Sequence, residues 1–329
     1  VRRDAPRTID VQSRGVMKKK PATSKVPASA RSGFGRARPR STGEAEKPQA
    51  PAAEEKAAPQ NVFRIAGVQM ASGPSVSANL NEAKRLIGMA VDQGAGLVCL
   101  PEWFACMGLK DTDKVRIREK PGDGPIQKFL SETARRQRIW LIGCSVPIQA
   151  SDDSHVYNSL LVYDDTGAQA ARYDKIHLFA LDLVGEKFSE ERTIEAGKEV
   201  KVIDSPFGRI GLSVCYDLRF PELYRAMKDP DIIVVPSAFT ETTGRAHWEP
   251  LIRARAIENL SYVLAPAQGG YHLSGRETHG HSMIVDPWGV VLDRLPRGSG
   301  VVIAGVNPGY QANLRKSLPA LKHKTIHRV

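Results

Sequence analysis

Gly208-Arg209-Ile210-Gly211-Leu212-Ser213-Val214-Cys215-Tyr216-Asp217-Leu218-Arg219-Phe220-Pro221-Glu222-Leu223 is the stretch whose reading decides the fold. Ile210, Leu212 and Val214 alternate with small residues, the period of a buried strand. Pro221, Glu222, Leu223 and Tyr224 then begin a helix, where proline suits the first turn. Cys215 falls where strand gives way to helix. A side chain on such a turn is lifted out of the sheet edge, and nearby backbone N–H groups stay free to hold an anion. That position suits a nucleophile, whereas an isolated cysteine is ordinarily a small buried apolar residue.

Working outward, the same strand–helix alternation recurs. Phe63–Met70 alternates like a strand, and Ser77-Ala78-Asn79 caps a helix carrying Leu80, Ala83, Leu86, Ile87, Ala90 and Val91. Leu97–Leu100 is a short apolar run, as expected of a strand covered on both faces. A helix is predicted over Ile126–Arg138 and a strand over Ile139–Pro147. Ser159–Tyr163 and Gln169–Tyr173 form a hairpin. Asp231–Pro236 reads as a strand and Ala246–Asn259 as a helix. Tyr262–Ala265, Gly280–Asp286, Val290–Arg294 and Val301–Val306 are further strands. The pattern is α/β, with one folded domain over 61–329.

Residues 1–60 lack hydrophobic periodicity. They hold fourteen Lys and Arg against six Asp and Glu, and so eight of the eleven net positive charges. A segment of that composition cannot bury enough apolar area to offset its ordering entropy, so a disordered basic tail is expected. With the charge confined there, the basic balance does not point to nucleic acid. No apolar run approaches the ~18 residues of a membrane span. The four cysteines, Cys99, Cys106, Cys144 and Cys215, form neither a CxxC pair nor a zinc pattern. The expectation is a cytoplasmic protein without disulfides. His279 and His281, read as sharing a strand face, have no third metal ligand at a diagnostic spacing.

Three polar residues each follow an apolar strand: Glu102 after Leu97–Leu100, Lys175 after Gln169–Tyr173, and Cys215. In open α/β sheets, ligand sites lie beyond the carboxyl ends of the strands. The three side chains can therefore meet in one pocket. A thiol needs a base or a cation to act near neutral pH. Glu102 can take its proton and pass it to a leaving amine. Lys175 and the Tyr216 backbone N–H can hold the negative oxygen of a tetrahedral intermediate. A Cys–His pair with His177, His247 or His281 is the other conventional arrangement. Arg219, one turn past Cys215, can take a substrate carboxylate bidentately, or instead bridge Asp217 or Glu222. Tyr157 and His247 are further candidates for substrate contact.

Residues 62–329 resemble the nitrilase, or carbon–nitrogen hydrolase, superfamily. The matching motifs include Gly67-Val68-Gln69-Met70, Leu100-Pro101-Glu102 and Tyr173-Asp174-Lys175-Ile176-His177-Leu178-Phe179. They continue through Cys215–Glu222, Thr243–Trp248, Arg253–Glu258 and Gly280–Gly289. The resemblance implies a four-layer α-β-β-α sandwich that dimerises, with no metal or organic cofactor. It implies a Glu–Lys–Cys triad at Glu102, Lys175 and Cys215, and a second glutamate near the lysine. That glutamate is aligned to Glu190, with Glu191 its competitor.

Cys215-Tyr216-Asp217-Leu218-Arg219-Phe220-Pro221-Glu222 resembles the branch acting on ω-amides and deaminated glutathione. The implied activity is hydrolysis of the terminal amide of a small carboxylated substrate through a cysteine thioester, with release of ammonia. A deaminated glutathione-like substrate comes first, and an ω-amidase acting on α-ketoglutaramate-like compounds is the alternative. Relatives in that branch often carry Arg where this chain has Tyr271, a departure that removes an expected cation. A non-catalytic binding protein on the same fold is a different class, against which the intact Glu102, Lys175 and Cys215 argue.

Overall fold

The computed structural model describes residues 62–183 and 186–326. The tail expected over 1–60 lies outside them. Two sheets form the centre of the domain. The first runs, in spatial order, Gly300–Val306, Phe63–Gln69, Ala95–Cys99, Trp140–Gln149, Val156–Tyr163 and Gln169–Asp174, with the short Ile194–Glu195 also beside Val156–Tyr163. The second runs Val291–Leu295, Ser282–Val285, Tyr262–Ala265, Ile232–Val234, Gly208–Leu212 and Lys201–Ser205.

Side-chain alternation builds the layers. In the first sheet Leu97, Cys99, Ile142, Leu160 and Val162 point inward. There they join Ile210, Leu212, Ile233 and Leu264 of the second sheet in one core. Their neighbours Val98, Leu141, Leu161 and Tyr163 face the other way, into a second core. Helix Val76–Asp92 supplies Ala83, Leu86, Ile87 and Ala90 to that second core, and helix Pro125–Gln137 supplies Ile126, Leu130 and Ala134. On the far side of the second sheet, helix Glu241–Asn259 buries Trp248, Ile252 and Ala256. The order is therefore helix, sheet, sheet, helix. At Gly67 the sheets pack closely: a β-carbon there would stand 3.1–3.3 Å from Val302, Leu264 and Pro266.

Local chemistry moved several boundaries. Ser75, rather than Ser77-Ala78-Asn79, caps the first helix, its side chain accepting from the Ala78 N–H. Helix Glu241–Asn259 begins five residues before the expected Ala246, because the Thr240 hydroxyl accepts from the Thr243 N–H and so starts it earlier. His279 ends strand Glu277–His279, while His281 has φ +53°. The two histidines therefore do not share a strand face; their rings stack with centroids 4.3 Å apart.

Strand direction sets up the site. Ala95–Cys99 runs parallel to Phe63–Gln69 and to Trp140–Gln149. Two antiparallel steps later, Gln169–Asp174 points the same way. Glu102 and Lys175 thus leave the first sheet at the same end. In the second sheet Gly208–Leu212, Ile232–Val234 and Tyr262–Ala265 are mutually parallel, and Cys215 follows the first of them.

Candidate active site

Cys215 opens a 3₁₀ turn, Cys215–Arg219, and has φ +50°, in the left-handed region that residues with a β-carbon rarely occupy. The surroundings over-determine this shape. The Cys215 N–H donates to the Pro236 carbonyl at 3.0 Å. Asp217, fully buried, accepts from the Val214 N–H at 2.9 Å, the His177 N–H at 3.0 Å and the Tyr173 hydroxyl at 2.7 Å. The His177 ring Nδ1 adds a contact of 2.7 Å to the same carboxylate. From the outer helix, the Arg255 guanidinium donates to the Leu218 carbonyl at 2.8 Å and 3.1 Å.

Lys175 is buried between two carboxylates. Its Nζ lies 3.0 Å from Glu102 Oε1 and 2.8 Å from Glu190 Oε2. Glu190 also accepts from the Phe179 N–H at 2.7 Å, and Glu102 from Asn158 Nδ2 at 2.9 Å. Glu191 turns away and accepts from the Ser189 hydroxyl. Of the two adjacent glutamates, it is Glu190 that reaches the lysine. Burial works against the Lys175 ammonium, but Glu102, Glu190 and the Cys215 sulfur outweigh it and hold its pKa well above the ordinary lysine value.

Cys215 sits beside this cluster. Burial and then the Glu102 charge push its thiol well above the ordinary range. Lys175 and the Ala238 N–H, which donates to Sγ at 3.5 Å, pull the other way. The Glu102 carboxylate is thus the charged neighbour that most favours the protonated thiol. The balance favours a protonated thiol at rest, unlike the thiolate of an ion-paired cysteine. The other three thiols are free; Cys99 and Cys144 are core, and burial raises both further.

Glu102, Lys175, Glu190, Cys215, Tyr216 and Arg219 line one cavity of about 640 Å³. Among the described residues no histidine lines it. His177 is taken by Asp217 and stacks on Phe220 with ring centroids 3.7 Å apart. The Cys–His arrangement therefore has no histidine at the sulfur. Among the described residues, no group of His, Cys, Asp and Glu is arranged to hold a metal ion.

Arg219 bridges neither Asp217 nor Glu222. Its Nη1 meets His247 Nδ1 at 3.2 Å, and its guanidinium carbon lies 5.3 Å and 5.6 Å from the Phe239 and Tyr216 ring centroids. His247 is exposed, outside the cavity lining, and reaches it only through Arg219. Tyr157 is not brought to the site. Its hydroxyl donates to Glu195 at 2.6 Å, and its strand neighbour Asn158 faces Glu102 instead. Alternation along the strand allows only one of the two to face Glu102. Tyr271 is 74% exposed and outside the lining, whereas Arg276, on the same hairpin, is within it.

Asn158, Trp103, Lys114 and Arg276 escaped the sequence reading. A polar Asn158 inside the apolar run Val156–Tyr163 was a usable signal; the others lie in loops and short turns without periodicity.

A family model described as carbon–nitrogen hydrolase matches residues 64–316. A deaminated glutathione amidase of Synechocystis sp. is 42% identical over 268 residues, covering 80% of this chain and 98% of that protein. The omega-amidase NIT2 of Danio rerio is 35% identical over 265 residues, covering 80% of this chain and 94% of its own. The crystal structure of Saccharomyces cerevisiae Nit3, described as a member of branch 10 of the nitrilase superfamily, superposes with a TM-score of 0.73 at 28% identity. It covers 81% of this chain and 97% of that one.

Proposed function

Because the chain belongs to the carbon–nitrogen hydrolase family and so hydrolyses amides, we propose that it does so through Cys215, Glu102 and Lys175, with Glu190 as the second acid. The carrying observation is Lys175 Nζ held between Glu102 and Glu190 in the cavity that Cys215 lines. Glu102 takes the thiol proton as Sγ attacks the amide carbonyl carbon. The carbonyl oxygen becomes an oxyanion, which the Lys175 ammonium and the Tyr216 N–H stabilise. The same proton then goes from Glu102 to the departing nitrogen, the C–N bond breaks and a thioester remains on Cys215. Ammonia leaves from a primary carboxamide and an amine from a substituted one. Glu102 next deprotonates a water that attacks the thioester carbon, and the thiol is restored as the acid departs.

Glu190 keeps Lys175 charged and aimed, so the lysine serves as a fixed cation rather than a proton carrier. The raised pKa of Lys175 supports that division of labour.

Arg219 supports an acidic substrate. It lines the cavity, and no carboxylate among the described residues lies within 4 Å of it. A deaminated glutathione-like amide is the first reading; an ω-amidase role on a smaller keto-acid amide is the second, supported by the likeness to the omega-amidase above. Homodimerisation is supported by exposed Ile257, Trp288, Val290 and Tyr310, which gather around Gly289 and Asp286. Light scattering in solution tests it. Among the described residues, no helix is long and apolar enough to cross a membrane.

The test of the reaction is amine release across a panel of acidic and neutral amides, combined with intact-mass analysis of quenched enzyme. An acyl adduct on Cys215 is expected. Turnover with Cys215→Ala at the wild-type rate would end this reading.

A further inference from the structure

Six cationic side chains line the cavity, and three of them are paired with carboxylates. Lys175 has its two glutamates. Arg276 pairs with Asp111 at 3.0 Å, and Lys187 with Asp182 at 2.7 Å. Lys110 is exposed to water. Arg219 and Lys114 remain. Lys114 is partly buried, and its Nζ donates to the neutral Thr193 hydroxyl at 3.2 Å. It also lies 5.1 Å from the Trp103 ring centroid, with no carboxylate among the described residues within 4 Å. An ammonium has three protons to donate, and a desolvated one without an anionic partner is costly. Trp103, the residue after Glu102, has φ +60°, an uncommon conformation that puts its ring against Lys114.

The two cations have different neighbours. Lys114 feels the charges of Glu190, Asp111, Arg276 and Lys175. Arg219 packs on Tyr216 and Phe239.

We propose that Lys114 is a specificity-determining residue that binds an anionic group of the substrate, so that the cavity selects amides bearing two carboxylates, one held by Arg219 and the other by Lys114. This rests on the amidase reading above. It adds to it a residue on the helical turn Asp113–Arg116 and a charge requirement.

N-glutarylglycine, a central amide with a carboxylate at each end, is a suitable probe, together with its two mono-methyl esters and its diester. We would measure kcat/KM for wild type, Lys114→Met, Lys114→Arg and Arg219→Met, and repeat the binding by calorimetry in the Cys215→Ala background. Lys114→Met should lose about tenfold or more on the diacid and on one half-ester, while the other half-ester and the diester are unchanged. Lys114→Arg should recover most of that loss, which also controls for folding. Arg219→Met should strike the complementary half-ester. An equal loss on all four compounds would mean that Lys114 acts only through Glu190, and would overturn the proposal. So would no loss, loss of the same half-ester in both variants, or failure of the diacid to bind. Selective binding without turnover in wild type would instead count against the amidase reading and leave the Lys114 assignment standing.

Discussion

Lys175 Nζ stands 3.0 Å from Glu102 Oε1 although 73 residues separate them in the chain. Both are about 1% exposed. A buried ion pair is not by itself stabilising, because desolvation of both charges offsets most of their attraction. With Glu190 as a third member the cluster carries one lysine against two carboxylates, and the neutral Cys215 thiol adds no further negative charge. When Glu102 takes the thiol proton it loses its charge, and Lys175 is then opposed by Glu190 alone as negative charge develops on a substrate oxygen.

Cys215→Ala should abolish turnover while leaving the fold intact, since alanine fits the space and Asp217 still holds the loop. Amine release and a circular-dichroism melt check this together. Replacement of Cys99, Cys106 or Cys144 by serine or alanine should leave the chemistry in place.

Glu190→Gln should lower kcat by about tenfold or more, equivalent to ~1.4 kcal/mol of barrier, because Lys175 loses one of its two anions. Glu191→Gln should match wild type, as that side chain reaches only Ser189. Equal losses in both variants would remove the assignment of Glu190.

The thiol's raised pKa gives a pH signature. Alkylation of Cys215 by iodoacetamide should still be accelerating above the ordinary thiol midpoint of about 8.5, because the protonated form is favoured by burial and by Glu102. Glu102→Gln removes a negative charge that raises this pKa, so the profile should shift to lower pH. A rate that is flat from neutral pH upward would mean a resting thiolate, contrary to this picture.

Asp217→Asn tests what holds the nucleophile's turn. The carboxylate accepts from Val214, His177 and Tyr173, and an amide cannot satisfy all of these donors. A loss of about 2–3 kcal/mol in stability is expected, with kcat reduced more than KM is raised. Thermal melts and steady-state kinetics on the same preparation would separate the two effects.

Arg219→Lys keeps the charge but loses the fork. The absence of a bridge to Asp217 or Glu222 predicts little change in melting temperature. The fall in kcat/KM should be about tenfold or more for an amide bearing a carboxylate and small for a neutral one of similar length. An equal fall on both substrates would detach Arg219 from substrate recognition.

Much of this arrangement was readable along the chain. Alternation in Ile210–Val214, the continuous apolar run Leu97–Leu100 and the hairpin strand Gln169–Tyr173 are local patterns, so they revealed the strands without any knowledge of their partners. The ends of those strands then pointed to Glu102, Lys175 and Cys215. What the chain could not reveal was which face each end presents. Glu190 and Glu191 are equivalent in composition, but they begin a 3₁₀ turn, where successive side chains diverge by about 120°, and Glu190 is the one met by the Phe179 N–H and the Lys175 ammonium. Tyr157 and Asn158 pose the same question on a strand, where opposite faces leave only Asn158 against Glu102. Arg219 had carboxylates two and three residues away, yet Asp217 was already saturated by groups from other elements. Lys114 and Arg276 lie outside long periodic elements, so nothing local marked them. Periodicity reports how a segment sits on its own axis, whereas these choices depend on how separate axes are turned toward one another, and that is set by burial across the two sheets.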